Sequence, residues 1–221
     1  MATRTNVQRA MSSKQFDCPS CGASVAFQCA MSVFAVCPYC RSMLVRHDLD
    51  VEVIGKMAVL AEDTSPFQLG TQGRYDGRMF QLIGRLKQQW SDGGWNEWCA
   101  LFNDARHGWL AEAQGFYLVC FETEPAVALP ARDTLRVEQG IQIGGESYRV
   151  DDIKEVTCAG SEGELPFPAP HGRKSTSVDL SADGGKFACI EYAEDGTRLS
   201  VGRYVDFAEL KLSFLRKLDG W

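Results

Sequence analysis

No apolar run in this 221-residue chain is long enough to cross a membrane. A span needs roughly 18 apolar residues, and the longest candidates, such as FYLVCF at 116–121, have the length of strands. The opening MATRTNVQRAMSSKQ lacks the apolar h-region of a secretory signal, so nothing in it argues for export. The signatures of familiar catalysts are missing too: there is no GxSxG elbow, Walker loop, dinucleotide fingerprint or HExxH pair. Histidine is scarce, and His47, His107 and His171 fall in separate segments, His107 beside Gly108 where an exposed turn is expected. These absences point away from an enzyme. A broad basic surface is also lacking. Residues 1–47 hold five Lys/Arg against one acid, so the head carries +4 and the remainder −10, adding to the net −6. An acidic body argues against an extended nucleic-acid footprint, while a small basic head leaves room for a narrow one.

What the chain does have is cysteine, nine in all. Four stand in two C-x-x-C pairs, Cys18/Cys21 and Cys37/Cys40, separated by fifteen residues. Each pair turns back on itself so that both sulfurs face one point, and Gly22 can supply the positive φ that such a knuckle needs. The spacing is that of a zinc ribbon, in which two knuckles give a tetrahedral four-thiolate site for one structural Zn²⁺. Two pairs at ribbon spacing argue against a thioredoxin-like redox motif. Iron also accepts four thiolates, so zinc versus iron stays open. Cys29 falls at no ligand spacing and is expected as a small apolar filler. Cys99, Cys120, Cys158 and Cys189 lie in apolar strand-like runs, where buried thiols are inert. An odd count with paired metal-type cysteines fits a reducing cytoplasm. Arg41 and Arg46, with Lys14 near them, are candidate anion contacts, with a merely solvated surface as the bland alternative.

After a polar tail at residues 1–15, expected to be disordered, and a ribbon at 16–47, residues 48–66 read as one strand plus a connector. From 67 to 128, β-type runs alternate with turns at Tyr75-Asp76-Gly77, Ser91-Asp92-Gly93-Gly94, Asn103-Asp104 and Gln114-Gly115, the pattern of a β-meander. A second β-unit is expected over 129–221. LGTQGRYDGRMFQLIGRL is echoed by QGIQIGGESYRVDDIKEV, and NEWCALFNDARHGWLAEAQGFY by KFACIEYAEDGTRLSVGRYV, which reads as a degenerate tandem repeat. LPFPAPHGRKSTS, with three of the eight prolines, reads as an exposed loop. Near the end, Phe207, Leu210, Phe214, Leu215 and Leu218 match one helical face, though KLSFL also alternates as a strand would. The fold class is therefore mainly β: a zinc ribbon, two related meander units forming small barrels or a sandwich, and a short C-terminal helix.

The densest chemistry is GGWNEWCALFNDARHGWL. Alternation puts Trp95, Glu97, Cys99 and Leu101 on one face of a strand and Asn96, Trp98, Ala100 and Phe102 on the other. Trp95 and Trp98 therefore cannot line one pocket unless the strand is bulged. The plain reading is that these rings are core. The functional one takes Tyr75, Trp95, Glu97, Trp109 and Glu112 as a ligand or partner face. Aromatic faces with carboxylates suit an organic cation, and a carboxylate pair can also serve acid–base chemistry, given a pocket and a nucleophile.

The residues CPSCGA…CPYCRS, SPFQLGTQGRYDGRMFQLIGRL and GGWNEWCALFNDARHGWLAEAQGFY resemble the bacterial family called domain of unknown function 4178. The resemblance implies a zinc-ribbon head on β-rich units. It also implies a cytoplasmic accessory protein near membrane-stress or polyamine-synthesis systems, and it brings no catalytic residues. The expected role is a non-enzymatic binding or adaptor module. A protein partner is expected first, a small organic cation second and nucleic acid third, with no membrane span.

Overall fold

The computed structural model describes residues 14–61 and 63–217. Most of the expected disordered tail, and Leu218 of the expected terminal helix, lie outside those residues. The described chain is mainly β, with short 3-10 turns in place of longer helices.

The head begins with the hairpin β1 (Lys14–Asp17) and β2 (Ser24–Phe27). It continues as β3 (Phe34–Val36), β4 (Ser42–Arg46) and β5 (Val51–Lys56), paired in that order. The strand expected in the connector thus belongs to the head's sheet. The first meander runs β6 (Gln72–Tyr75), β7 (Arg78–Trp90), β8 (Gly93–Phe102), β9 (His107–Ala113) and β10 (Phe116–Glu122). The second runs β11 (Gly140–Ile143), β12 (Glu146–Leu165), β13 (Lys174–Ala182), β14 (Lys186–Ala193) and β15 (Gly196–Val205). All four turns expected in the first unit fall between successive strands of β6 to β10.

The two meanders are not separate small barrels. Strand β10 pairs with β15, and β7 pairs with the second half of β12, both antiparallel. Eight strands therefore close in the order β7-β8-β9-β10-β15-β14-β13-β12 and back to β7. Closure removes the edges that either half would expose alone. Glycines let the seams approach: a Cβ at Gly84 would sit 1.8 Å from the Glu164 carbonyl oxygen, and one at Gly202 would sit 1.9 Å from that of Val119. The first sequence echo joins equivalent elements, β6–β7 and β11–β12. The second aligns β8–β9 with β14–β15, one strand out of step with the order of the halves.

Each half buries an apolar outer face under its own cover. On the first, Phe80, Leu82, Trp98, Ala100, Phe102 and Leu110 pack beneath Phe67 and Leu210. On the second, Val150, Val178, Leu180, Ala188 and Ile190 pack with Leu135, Ile141 and Ile143. The C-terminal segment forms only a 3-10 turn at Phe207–Leu210 and a single bridge from Ser213 to Gln72. Phe214 is 68% exposed and left-handed at φ 57°, so the expected helical face does not form there.

A third cluster joins head and barrel, with Cys29, Phe34, Val36 and Met43 packed alongside Ile83, Leu101, Trp109 and Phe167. Buried Glu164 at the end of β12 fastens the joint, accepting from the Gln28 N–H at 2.8 Å, its Nε2 at 3.1 Å and the Cys29 N–H at 3.3 Å. The proline-rich segment is not the exposed loop expected. Leu165, Phe167 and Ala169 are buried, because spacing by prolines turns every second side chain inward, and Ser175 to Ser177 already belong to β13. This loop and the head form the barrel's floor.

Candidate functional site

The two knuckles of the head are built alike. The Gly22 N–H donates to the Cys18 carbonyl at 2.8 Å, and the Arg41 N–H donates to the Cys37 carbonyl at 2.9 Å. Gly22 and Arg41 share the left-handed turn position, at φ 73° and 61°. The sulfurs of Cys18, Cys21, Cys37 and Cys40 all lie within 4.8 Å of one another. Cys18 and Cys40 are 3.7 Å apart, and Cys21 and Cys37 are 3.9 Å apart. Sulfurs about 2.3 Å from a tetrahedral ion are about 3.8 Å apart, so the donor set fits a metal ion. The hydroxyl and amide of Ser42 pull the Cys40 thiol down to about 6. Cys21 is pushed up to about 12: the Ala23 amide lowers it, but desolvation and the three neighbouring thiols prevail. Four charged sulfurs at this spacing need a cation between them. A closed four-thiolate set leaves no open position, so a bound ion here holds loops together rather than substrate. Cys29 stays outside the set, buried in the joint.

Of the two candidate anion contacts, Arg46 does not project freely. Arg46 donates to the carbonyls of Ala30 and Cys29 and lies over the Phe27 ring, its Cζ 5.3 Å from the centroid. Arg41 occupies the strained knuckle position.

Inside the barrel, above the floor, lies a cavity of about 890 Å³, within the range of small-molecule sites. It reaches the outside beside Gln114, Gly115 and Phe116 of the β9–β10 turn, where Phe116 is 69% exposed. The wall from the first half carries Trp90, Trp95, Glu97 and Trp109. The Trp90 and Trp95 rings are 5.3 Å apart, and Trp109 packs on Phe167 at 5.8 Å. The Trp95 indole N–H donates to Glu97 Oε1 at 2.7 Å. Burial pushes the Glu97 carboxyl up to about 7; that hydrogen bond opposes the shift, and the negative charges of Glu191 and Asp179 add to it.

The second half supplies Lys154, Ser177, Asp179, Glu191 and Arg198. Register places Asp179 beside Cys189, and Glu191 between Ser177 and Arg198. These charges are largely matched among themselves. Glu191 accepts from Arg173 at 2.7 Å and Arg198 at 3.2 Å, and Lys154 pairs with Asp152 and lies 3.9 Å from Asp179. Burial still raises Asp179 above the usual carboxylate range. The sequence reading missed this wall. Its signal was present, since Ser175, Ser177 and Asp179 alternate with Thr176, Val178 and Leu180. Ordinary patterning sends the polar set to solvent, and here it lines the lumen.

Of the proposed ligand face, Trp95, Glu97 and Trp109 meet in the cavity, whereas Glu112 reaches only its margin and Tyr75 lies outside it. Glu112 pairs in register with Asn96, so its carboxylate lies on the barrel's outer side. There its Oε1 accepts from Trp98 Nε1 at 3.0 Å, Asn96 Nδ2 at 2.9 Å and the Ser65 hydroxyl. Tyr75 also packs outside, against Phe121, its ring crossed by Arg203 at 5.1 Å. His107 is half-buried at the start of β9 rather than in an exposed turn, and burial lowers its pKa. The remaining thiols match the inert reading: burial raises Cys99, Cys120, Cys158 and Cys189, with Cys158 at about 11.

Fold and site together define a closed eight-stranded β-barrel with a small-molecule-sized lumen and a four-thiolate head. The chain belongs to the family named domain of unknown function (DUF4178), whose model matches residues 68–207. That span begins just before β6 and ends just after β15, covering the barrel and leaving the cysteine head outside. Comparison with curated proteins and with solved structures finds no match.

Proposed function

We propose that the barrel is a non-enzymatic receptor for a small organic cation and that the head is its zinc-stabilised floor. The observation that carries this reading is Glu97: a carboxylate on the lumen wall among Trp90, Trp95 and Trp109, hydrogen-bonded to an indole and, among the described residues, without an ion-pair partner. Aromatic faces attract cations through the ring quadrupole, and a low-dielectric wall strengthens attraction to the carboxylate. The thiol-rich head agrees with a reducing, cytoplasmic setting. The family resemblance points to amines, and the single unpaired carboxylate makes monoamines and singly charged quaternary ammonium ions the first ligands to try. Calorimetric titration of the full chain should give micromolar binding that Glu97→Ala abolishes, and flat titrations with both ligand types would remove the reading.

An adaptor role has support of its own on the head, where Met31 is 57%, Tyr39 74% and Leu49 91% exposed. Pull-down from the native host with Tyr39→Ser as control should then lose a stoichiometric protein partner. Recovery of the same proteins with both baits would count against it.

A further inference from the structure

Resting on the cation reading, we infer that the lumen takes one singly charged organic cation at Glu97 and releases the proton of that carboxyl in exchange. The strands around the cavity carry charges that are mostly partnered. From β12 comes Lys154, held by Asp152 and Asp179; from β13 comes Asp179 itself. From β14 comes Glu191 and from β15 Arg198, and these two are paired, with Arg173 of the floor loop completing the set. Tyr204 of β15, Cys120 of β10 and Cys189 of β14 are neutral at physiological pH, because burial raises all three. Strand β7 presents Gln88 and Trp90. Glu112 of β9 reaches only the cavity's margin, its carboxylate turned to Ser65, Asn96 and Trp98. Glu122, Asp206 and Glu209 stand at the rim.

One lumen carboxyl is therefore left without a cation, and its neighbours Asp179 and Glu191 oppose its ionisation. Glu97 titrates near 7, so at neutrality about half the molecules hold it as the acid. A guest cation supplies the missing partner. The exchange is balanced: the carboxylic acid plus a free cation gives a carboxylate–cation pair plus a proton released to buffer. The arrangement also sets the guest's charge. Asp179 and Glu191 already have Lys154, Arg173 and Arg198, so a second positive charge would meet those cations. The aromatic wall favours an apolar body on the single charge.

The test uses benzyltrimethylammonium, whose charge does not vary with pH, and the bis-quaternary hexamethonium, titrated into the full chain by calorimetry. The expected result is about tenfold weaker benzyltrimethylammonium binding at pH 6 than at pH 8, because only the ionised fraction is competent. At pH 7, enthalpies measured in buffers of different ionisation heat should report about half a proton released per ligand. Glu97→Gln should lose both effects, and the buffer measurement on the unaltered protein stands even if that variant fails to fold. Binding with no pH dependence and no proton release would overturn the exchange while leaving the receptor standing. Hexamethonium bound tenfold tighter than the monocation would overturn the single-charge assignment. Absence of binding by either ion at pH 6 and pH 8 would overturn the receptor reading, and the exchange with it.

Discussion

Glu97 and Glu112 lie on neighbouring strands one register step apart, yet their carboxylates point to opposite sides of the barrel wall. Glu97 faces Trp95 and the lumen; Glu112 caps a buried polar knot beneath the outer cover. The two acids cannot act as a catalytic pair, and they should respond differently to the same substitution.

Glu97 sets a pH dependence of stability. Its folded-state pKa, about 7, is raised above the ordinary carboxylate range. Between those values the folded protein holds a proton that the unfolded chain has lost, so stability falls as pH rises through that window. Through this group alone, the protein should be about 3 kcal/mol less stable at pH 8 than at pH 4. Urea midpoints of the parent and of Glu97→Gln should coincide at low pH and separate as pH rises from about 4.5 to about 7, the variant being the more stable from there upward. The difference isolates Glu97 from Asp179, also raised, and from His107, which burial lowers. Curves that stay parallel from pH 5 to pH 8 would refute the assignment.

Glu112→Ala removes the acceptor shared by Trp98, Asn96 and Ser65. Leaving buried donors unpaired costs about 1–3 kcal/mol each, partly offset where water enters, so a loss of about 3 kcal/mol is expected. Cation affinity should not change, because this side chain faces away from the lumen. A calorimetric loss of binding in a folded Glu112→Ala protein would show that the wall has been assigned the wrong way round.

The head should carry one metal ion, visible in native mass spectrometry and absent in Cys37→Ser. Since Phe34, Val36 and Met43 pack in one cluster with Trp109 and Phe167, chelation should also alter tryptophan fluorescence from the barrel. Metal loss with unchanged emission would mean that the floor holds without the head.

Gly84→Ala should lose about 3 kcal/mol or more, because its methyl group would collide with the Glu164 backbone where β7 meets β12. Gly140→Ala, with no atom within 4 Å of the new carbon, should stay within about 0.5 kcal/mol. Equal thermal midpoints for the two variants would contradict the seam.

Short-range pattern carried the sequence reading a long way. The C-x-x-C spacing marked the four sulfurs that the fold gathers, and turn residues marked the ends of the first-unit strands. It failed where burial reverses expectation. Pro166, Pro168 and Pro170 suggested an exposed loop, but Phe167 and Ala169 between them fill the floor. Ser175, Ser177 and Asp179 suggested a solvent face, but they line a lumen. The terminal apolar residues suggested a helix, but the outer face of the first half draws Phe207, Leu210, Leu212 and Leu215 onto it one by one.

By itself, then, the sequence determined which four cysteines come together as a possible metal site, and the separation of Trp95 from Trp98, because both follow from spacing along a few residues. Only the tertiary structure decided that the two meanders close on each other, which side of each strand is inside, and that Glu97 faces Asp179 and Glu191. Period-2 alternation says which residues share a face but not where that face points. That choice depends on pairing β7 with β12 and β10 with β15, strands far apart in the chain, and on the covers that claim each apolar outer face.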